Sequence, residues 1–242
     1  LASLGAALFA LHPIHAEAIG GIVSQTDLAA TAFGLGVILS ASQGGQIGRL
    51  LVAPLLLLFA CLAKESAFVF GIAAVLSTLF TQDQDSPPWT HRIGTAIPLI
   101  VVITSTILLA LSFDRSRGAF GGNNMAYEAE GFTALLHTLS IVGRATAMLF
   151  VPIGMAPSHG YAATDLAIST LLPGAFAGLL FLGLGLMLTV WAFRQRNVGA
   201  LIGLPLFFGP ILLQSNLVFL VQTDLAERLL YPSSLISSLL LA

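Results

Sequence analysis

One cysteine, few charges and no basic surplus are what this 242-residue chain has least of. Cys61 has no second thiol in the chain, so a disulfide framework is excluded and packing within its apolar run is the expected role. Nine Lys and Arg stand against eleven Asp and Glu, a net charge of −2 spread over loops. No basic block exists to neutralise a phosphate backbone, so nucleic acid is excluded as a partner and membrane lipid is expected. Charged residues make up 8% of the chain, whereas soluble domains carry about a quarter. Hydrophobic residues reach 57% and the mean hydropathy is +0.96, values that exclude a soluble globule. In lipid every backbone polar group needs an internal partner, so an all-α, polytopic transmembrane helical bundle is predicted. No signal peptide is visible before the first apolar run. Because the chain opens within one apolar run at Leu1 and closes within another, Leu235 to Ala242, it reads as one membrane domain over 1–242, truncated at both ends.

Apolar periodicity and breakers divide the chain. Leu1 to Leu11 reads as the end of a helix that Pro13 stops. Gly20 to Ala41 is the next span, with Asp27 near its start. Leu50 to Phe80 exceeds one crossing of about 20 residues, and Lys64-Glu65 lies at its midpoint. Two short helices meeting at a polar turn are predicted there, because both charges of one long helix would face the bilayer centre. Thr81 to Arg92 reads as an aqueous loop, Ile93 to Leu111 as a span and Phe113 to Gly131 as a long polar loop. Phe132 to Val151 is amphipathic, with His137 and Arg144 seven apart on one face, and is expected in or near the interface. Leu171 to Phe193 is a clear span, and Val198 to Val221 is another, broken by Pro205 and Pro210. Arg194 and Arg196 mark the cytoplasmic side, with Arg49 and Arg92 beside them.

Chemistry concentrates in three places. His12-Pro13-Ile14-His15-Ala16-Glu17 sets two imidazoles and a carboxylate at a membrane boundary, where ionisable groups are costly and mark sites. One reading is a helix start, with His12 as cap, Pro13 at the first position and Glu17 complementing the dipole. A second is a lipid-substrate or catalytic site, and a third a His-x-x-His metal pair. Lys64-Glu65 reads either as an ion pair closing a helical hairpin or as a cation for a phosphate. Arg144 either snorkels to the interface or serves a site. Asp224 and Arg228 would pair at i, i+4, leaving Glu227 in need of another partner. Tyr231 suits the interface. A cation, a carboxylate and an aromatic at a membrane boundary are what a lipid-phosphate headgroup requires.

His12-Pro13-Ile14-His15-Ala16-Glu17-Ala18-Ile19, Ala63-Lys64-Glu65-Ser66 and Ala226-Glu227-Arg228-Leu229-Leu230-Tyr231-Pro232-Ser233 resemble, in this order, the membrane domain of the transmembrane and tetratricopeptide-repeat-containing O-mannosyltransferases and their bacterial relatives. Arg144 through Pro152 to Tyr161 resembles a weaker motif of the same family. Ser24-Gln25-Thr26-Asp27 departs from its Gly-Arg-Ala-Asp-like run, Tyr231-Pro232 lacks an intervening leucine, and Ala16 replaces a threonine. The resemblance implies a GT-C-like bundle that moves a sugar, mannose or a similar hexose, from a polyprenyl-phosphate carrier to a protein or glycan hydroxyl. It also implies an acidic loop before Leu1 and helical repeats after Ala242. On this reading the catalytic base is either Glu17 or a residue of that acidic loop, with His12 or His15 positioning the donor or Glu17. Arg228, Lys64 and Arg144 hold the donor phosphate, and Glu65, Asp27, Asp224, Glu227 and Tyr231 support them. The alternative function is a transporter or flippase of lipid-linked sugars or other anionic lipids, for which Asp27, Arg144 and helices broken at Pro205 and Pro210 would be suited. No metal ligand set is assigned and the cofactor is left unspecified. A bacterial inner membrane is expected in preference to the endoplasmic reticulum.

Overall fold

The computed structural model describes residues 2–22, 24–80, 88–113, 129–153, 166–217 and 225–242. Its described elements are helical, and three helices are long and apolar enough to cross a membrane: Trp89–Ser112, Gly131–Phe150 and Ile168–Gln195. This is a polytopic helical membrane fold, built in two compact units. Asp224, Tyr161 and most of the two polar loops, 81–87 and 114–128, lie outside the described residues.

The unit of Gln25–Arg115 and Leu188–Leu206 holds α3 (Gln25–Gln43), α4 (Ala53–Ala63), α5 (Phe68–Phe80) and α6 (Trp89–Phe113). A π-helical turn, Gly48–Val52, runs into α4. The helix break predicted near the middle of Leu50 to Phe80 is present: Lys64 is extended (φ −157°, ψ 129°), and Glu65–Ala67 forms a 3-10 turn before α5. Arg49 Nε donates to the Ala41 carbonyl at 3.1 Å and Arg92 Nη1 to the Leu79 carbonyl at 3.2 Å. Each guanidinium thus satisfies carbonyls that a helix end leaves open. Phe80 packs on Trp89 and Phe193, ring centroids 6.3 and 5.4 Å apart. Arg49, Arg92 and the residue before Arg194 therefore gather where α3 and α5 end. Asp27 and Lys64 lie where α3 begins and α4 ends.

The other unit comprises Leu1–Ser24, Ser116–Met187 and Phe207–Ala242. It contains α1 (Ala2–Leu11), the short α2 (His15–Gly20), α7 (Gly131–Phe150), the first part of α8 (Ile168–Gln195), the end of α9 (Val198–Gln214) and α10 (Tyr231–Leu241). Its core joins Ile14, Ile141, Val142, Leu149, Phe207, Ile211, Leu225 and Leu230. Two sequence expectations are corrected. α9 runs unbroken through Pro205 and Pro210, so the prolines do not split it. α7 has the length and hydropathy of a span, with half of its most apolar window buried. Burial against protein explains its amphipathic pattern, because the polar face needs no water.

α7 and α8 meet backbone to backbone. A Cβ on Gly143 would run into the Gly174 carbonyl, and one on Gly178 into the Leu139 carbonyl. Gly174 and Gly178, four apart on α8, form the small-xxx-small face that lets membrane helices pack by van der Waals contact.

Candidate functional site

α2 is six residues long, too short to hold its place by its own hydrogen bonds. Four long-range hydrogen bonds, made by three side chains of this segment, hold it. Pro13 ends α1, and the turn closes with His15 N–H donating to the His12 carbonyl at 3.1 Å. The cap reading is corrected in detail: the residue flanking α2 is Ile14, and His12 acts two residues earlier. Its Nδ1 accepts the Ile14 N–H at 3.2 Å, which leaves the ring proton on Nε2. Nε2 then donates to the Leu149 carbonyl at 3.2 Å, in the last turn of α7.

His15 ties α2 to α10. The Ser234 hydroxyl donates to the Tyr231 carbonyl at 2.7 Å, so its oxygen accepts the His15 Nε2–H at 2.9 Å. The imidazole lies between the Phe9 and Tyr231 rings, centroids 4.4 and 4.7 Å away. Burial, and then the neighbouring His12, lowers its pKa to about 4. Below pH 6.5 the unfolded chain takes up a proton that the folded chain resists, so stability falls as pH drops from about 6.5 towards 4. Thermal unfolding in detergent should show a loss of roughly 2–3 kcal/mol between pH 7.5 and 4.5. A His15→Gln variant should lack that part of the slope; an equal slope in both proteins would contradict the assignment.

Glu17 ties α2 to the segment before α10. One carboxylate oxygen accepts the main-chain N–H of Arg228 at 2.9 Å and the other accepts its Nη1–H at 2.6 Å. The carboxylate side chain is 9% exposed and the arginine side chain 25%. The first and last sequence motifs therefore meet in one unit. Arg228 pairs with Glu17, and Ala226 before it is extended; the expected i, i+4 partner, Asp224, lies outside the described residues. Gln214 Nε2 donates to the Ala226 carbonyl at 3.0 Å, and the Ser233 hydroxyl to the Phe207 carbonyl at 2.8 Å. Residues 226–234 are thus pinned from α2 and α9, with Glu227 buried. Gln214, Ser233 and Ser234 were not singled out from sequence. The available signal was a serine-rich stretch, Ser233, Ser234, Ser237 and Ser238, inside an apolar run.

Arg144 lies half-buried on α7 in the same unit, and among the described residues it makes no hydrogen bond or ion pair. His137, two turns earlier, is fully buried. In the other unit, Lys64 pairs with Asp27, which sets aside the Lys64–Glu65 ion pair, one of the two readings of this turn. Glu65 is exposed at the start of the 3-10 turn. Adjacent residues point apart, so Lys64 turned to a carboxylate on α3 instead. Among the described residues no group of three His, Cys, Asp or Glu side chains could hold a metal.

Comparison with known proteins adds one finding. The chain is distantly similar to protein O-mannosyl-transferases. It is 30% identical to the Protein O-mannosyl-transferase TMTC3 of mouse (Mus musculus) over 130 residues, which is 45% of this chain and 14% of that protein. It is also 30% identical to the human (Homo sapiens) protein of that name over 126 residues, 43% of this chain and 14% of the relative. No family model and no solved structure matches the chain. Both relatives are mammalian, which overturns the expectation of a bacterial inner membrane. A multi-pass membrane protein is what the helices support.

Proposed function

We propose that this chain is the lipid-facing part of a membrane glycosyltransferase, which moves mannose or a similar hexose from a polyprenyl-phosphate carrier to a hydroxyl of a protein or glycan. The observation that carries the reading is the joining of the two motifs by Glu17 and Arg228, in the unit that also holds Arg144, which makes no bond among the described residues. Similarity to proteins named O-mannosyl-transferases supports the reaction class. In the reaction the bond between the sugar anomeric carbon and the phosphate oxygen breaks and the acceptor oxygen bonds to that carbon. The electron pair stays on polyprenyl phosphate. Charge grows on that phosphate, and fixed guanidinium groups in a low-dielectric site stabilise it without reorganising.

Arg144, which makes no bond among the described residues, supplies one cation, and Arg228 supplies the other. Lys64 belongs to the other unit, where Asp27 neutralises it, and is not assigned to this site. His12 and His15 hold α2 in place rather than transfer protons, since each ring already bonds to another element. Glu17 takes the acceptor proton only when its oxygens leave Arg228. Glu227 and Tyr231, in the same unit, are supporting residues. The unbroken α9 withdraws one of the three features that suited a transporter.

Full-length protein in proteoliposomes, given a polyprenyl-phosphate sugar and a hydroxyl acceptor, should release polyprenyl phosphate in step with glycosylated product. Glu17→Gln should slow both by at least about a hundredfold, the range for loss of a general base. Passage of intact donor across the bilayer without release would overturn the reading.

A further inference from the structure

We propose that the Glu17 carboxylate is the resident occupant of an anion seat on Arg228, and that the phosphate of the lipid carrier displaces it. This rests on the reading of the site as a lipid-phosphate site. Both oxygens of Glu17 are held by one residue, at 2.9 Å by its main-chain N–H and at 2.6 Å by its guanidinium. Two donors on one residue gripping two oxygens of one anionic group is also how a phosphate is held. The seat opens outward: a quarter of the Arg228 side chain is exposed, while its Glu17 partner is nearly buried.

Arg228 keeps one anionic partner throughout, because a carrier phosphodiester bears one negative charge, as does the carboxylate it replaces. The displaced carboxylate adds a second negative charge beside the phosphate, and like charges at close range raise its affinity for a proton. The exchange also needs little motion, because His12 and His15 fix α2 from two sides and only the Glu17 side chain has to turn. Once displaced, the carboxylate is left beside the bound donor with its oxygens free, able to accept the proton of an attacking hydroxyl. Arrival of the donor thereby releases the base, and the empty site keeps it capped. An ordinary structural ion pair would show none of this coupling, since removing its acid would only weaken the segment it holds.

The test is a titration of full-length protein in nanodiscs with polyprenyl phosphate, read as a ligand-induced rise in melting temperature. Glu17→Gln removes the competing charge and should bind about tenfold more tightly than wild type. Glu17→Asp keeps the charge but is one methylene short of spanning both donors. It should also bind more tightly, by a smaller factor, and it decides the matter if Glu17→Gln folds poorly. Binding by both variants that equals or falls below wild type would overturn the exchange while leaving the lipid-phosphate reading in place. No saturable binding by wild type or any variant would overturn both. A parallel titration with inorganic phosphate separates the sources. Tightening with both ligands shows a seat for the phosphate group alone, tightening confined to the lipid shows a seat for the carrier, and either upholds the exchange.

Discussion

Replacing Arg144 with Gln is expected to lower sugar transfer by about a hundredfold to a thousandfold, the usual cost of removing one preorganised donor from a developing negative charge. The fold should survive. Arg144 is half-buried and makes no bond among the described residues, so its removal leaves no partner stranded. Arg228→Gln differs for a physical reason: it also strands the nearly buried Glu17 carboxylate, so it should cost stability as well as turnover. Turnover in proteoliposomes and melting temperature in detergent, measured on both variants, separate the two effects. Transfer by Arg144→Gln within a few-fold of wild type would remove Arg144 from the site.

Gly178→Leu should unfold the unit that carries the site. The side chain would enter the space of the Leu139 carbonyl, where α7 and α8 touch backbone to backbone, and no rotamer relieves a clash that begins at Cβ. Overpacking of this kind costs about 3 kcal/mol, and in lipid close packing is most of what holds two helices together. Gly183→Leu on the same helix is the control, because nothing lies within 4 Å of its Cβ position. The expected result is a melting temperature several degrees lower for Gly178→Leu, with loss of the monodisperse peak in size-exclusion chromatography. Gly183→Leu should match wild type. Equal behaviour of the two variants would show that the glycine contact is not what joins α7 to α8.

Local rules were enough for much of the fold. The break at Lys64 was legible because two adjacent charges cannot both avoid lipid on one helix, and the stop at Pro13 because proline lacks a donor. Partner choice was not legible. Lys64 and Glu65 are neighbours in sequence, yet Lys64 pairs with Asp27, 37 residues away, because chain adjacency sends their side chains in different directions. Arg228 likewise bonds a carboxylate 211 residues earlier. Such contacts depend on how helices pack, which periodicity does not encode. Prolines 205 and 210 misled for a related reason: apolar neighbours and tolerant local geometry let a membrane helix continue through residues that would end one in water. The Gly174 and Gly178 spacing, by contrast, was visible in the sequence as two glycines four apart in an apolar span, and passed unused.

The meaning of the opening motif changes most. As a sequence, His12 to Glu17 presents three reactive groups. As a structure it presents three tethers, to the end of α7, to α10 and to the segment carrying Arg228. Whatever chemistry the segment performs, it first builds the place where Arg228 sits.

The most direct test uses a photoreactive polyprenyl phosphate, cross-linked to full-length protein in membranes and mapped by mass spectrometry. Adducts on α7 around Arg144 and on residues 225–231, lost when unlabelled polyprenyl phosphate is in excess, are the expected result. Adducts confined to α3, α4 and α5, or labelling that excess ligand leaves unchanged, would contradict a lipid-phosphate site built on Arg144 and Arg228.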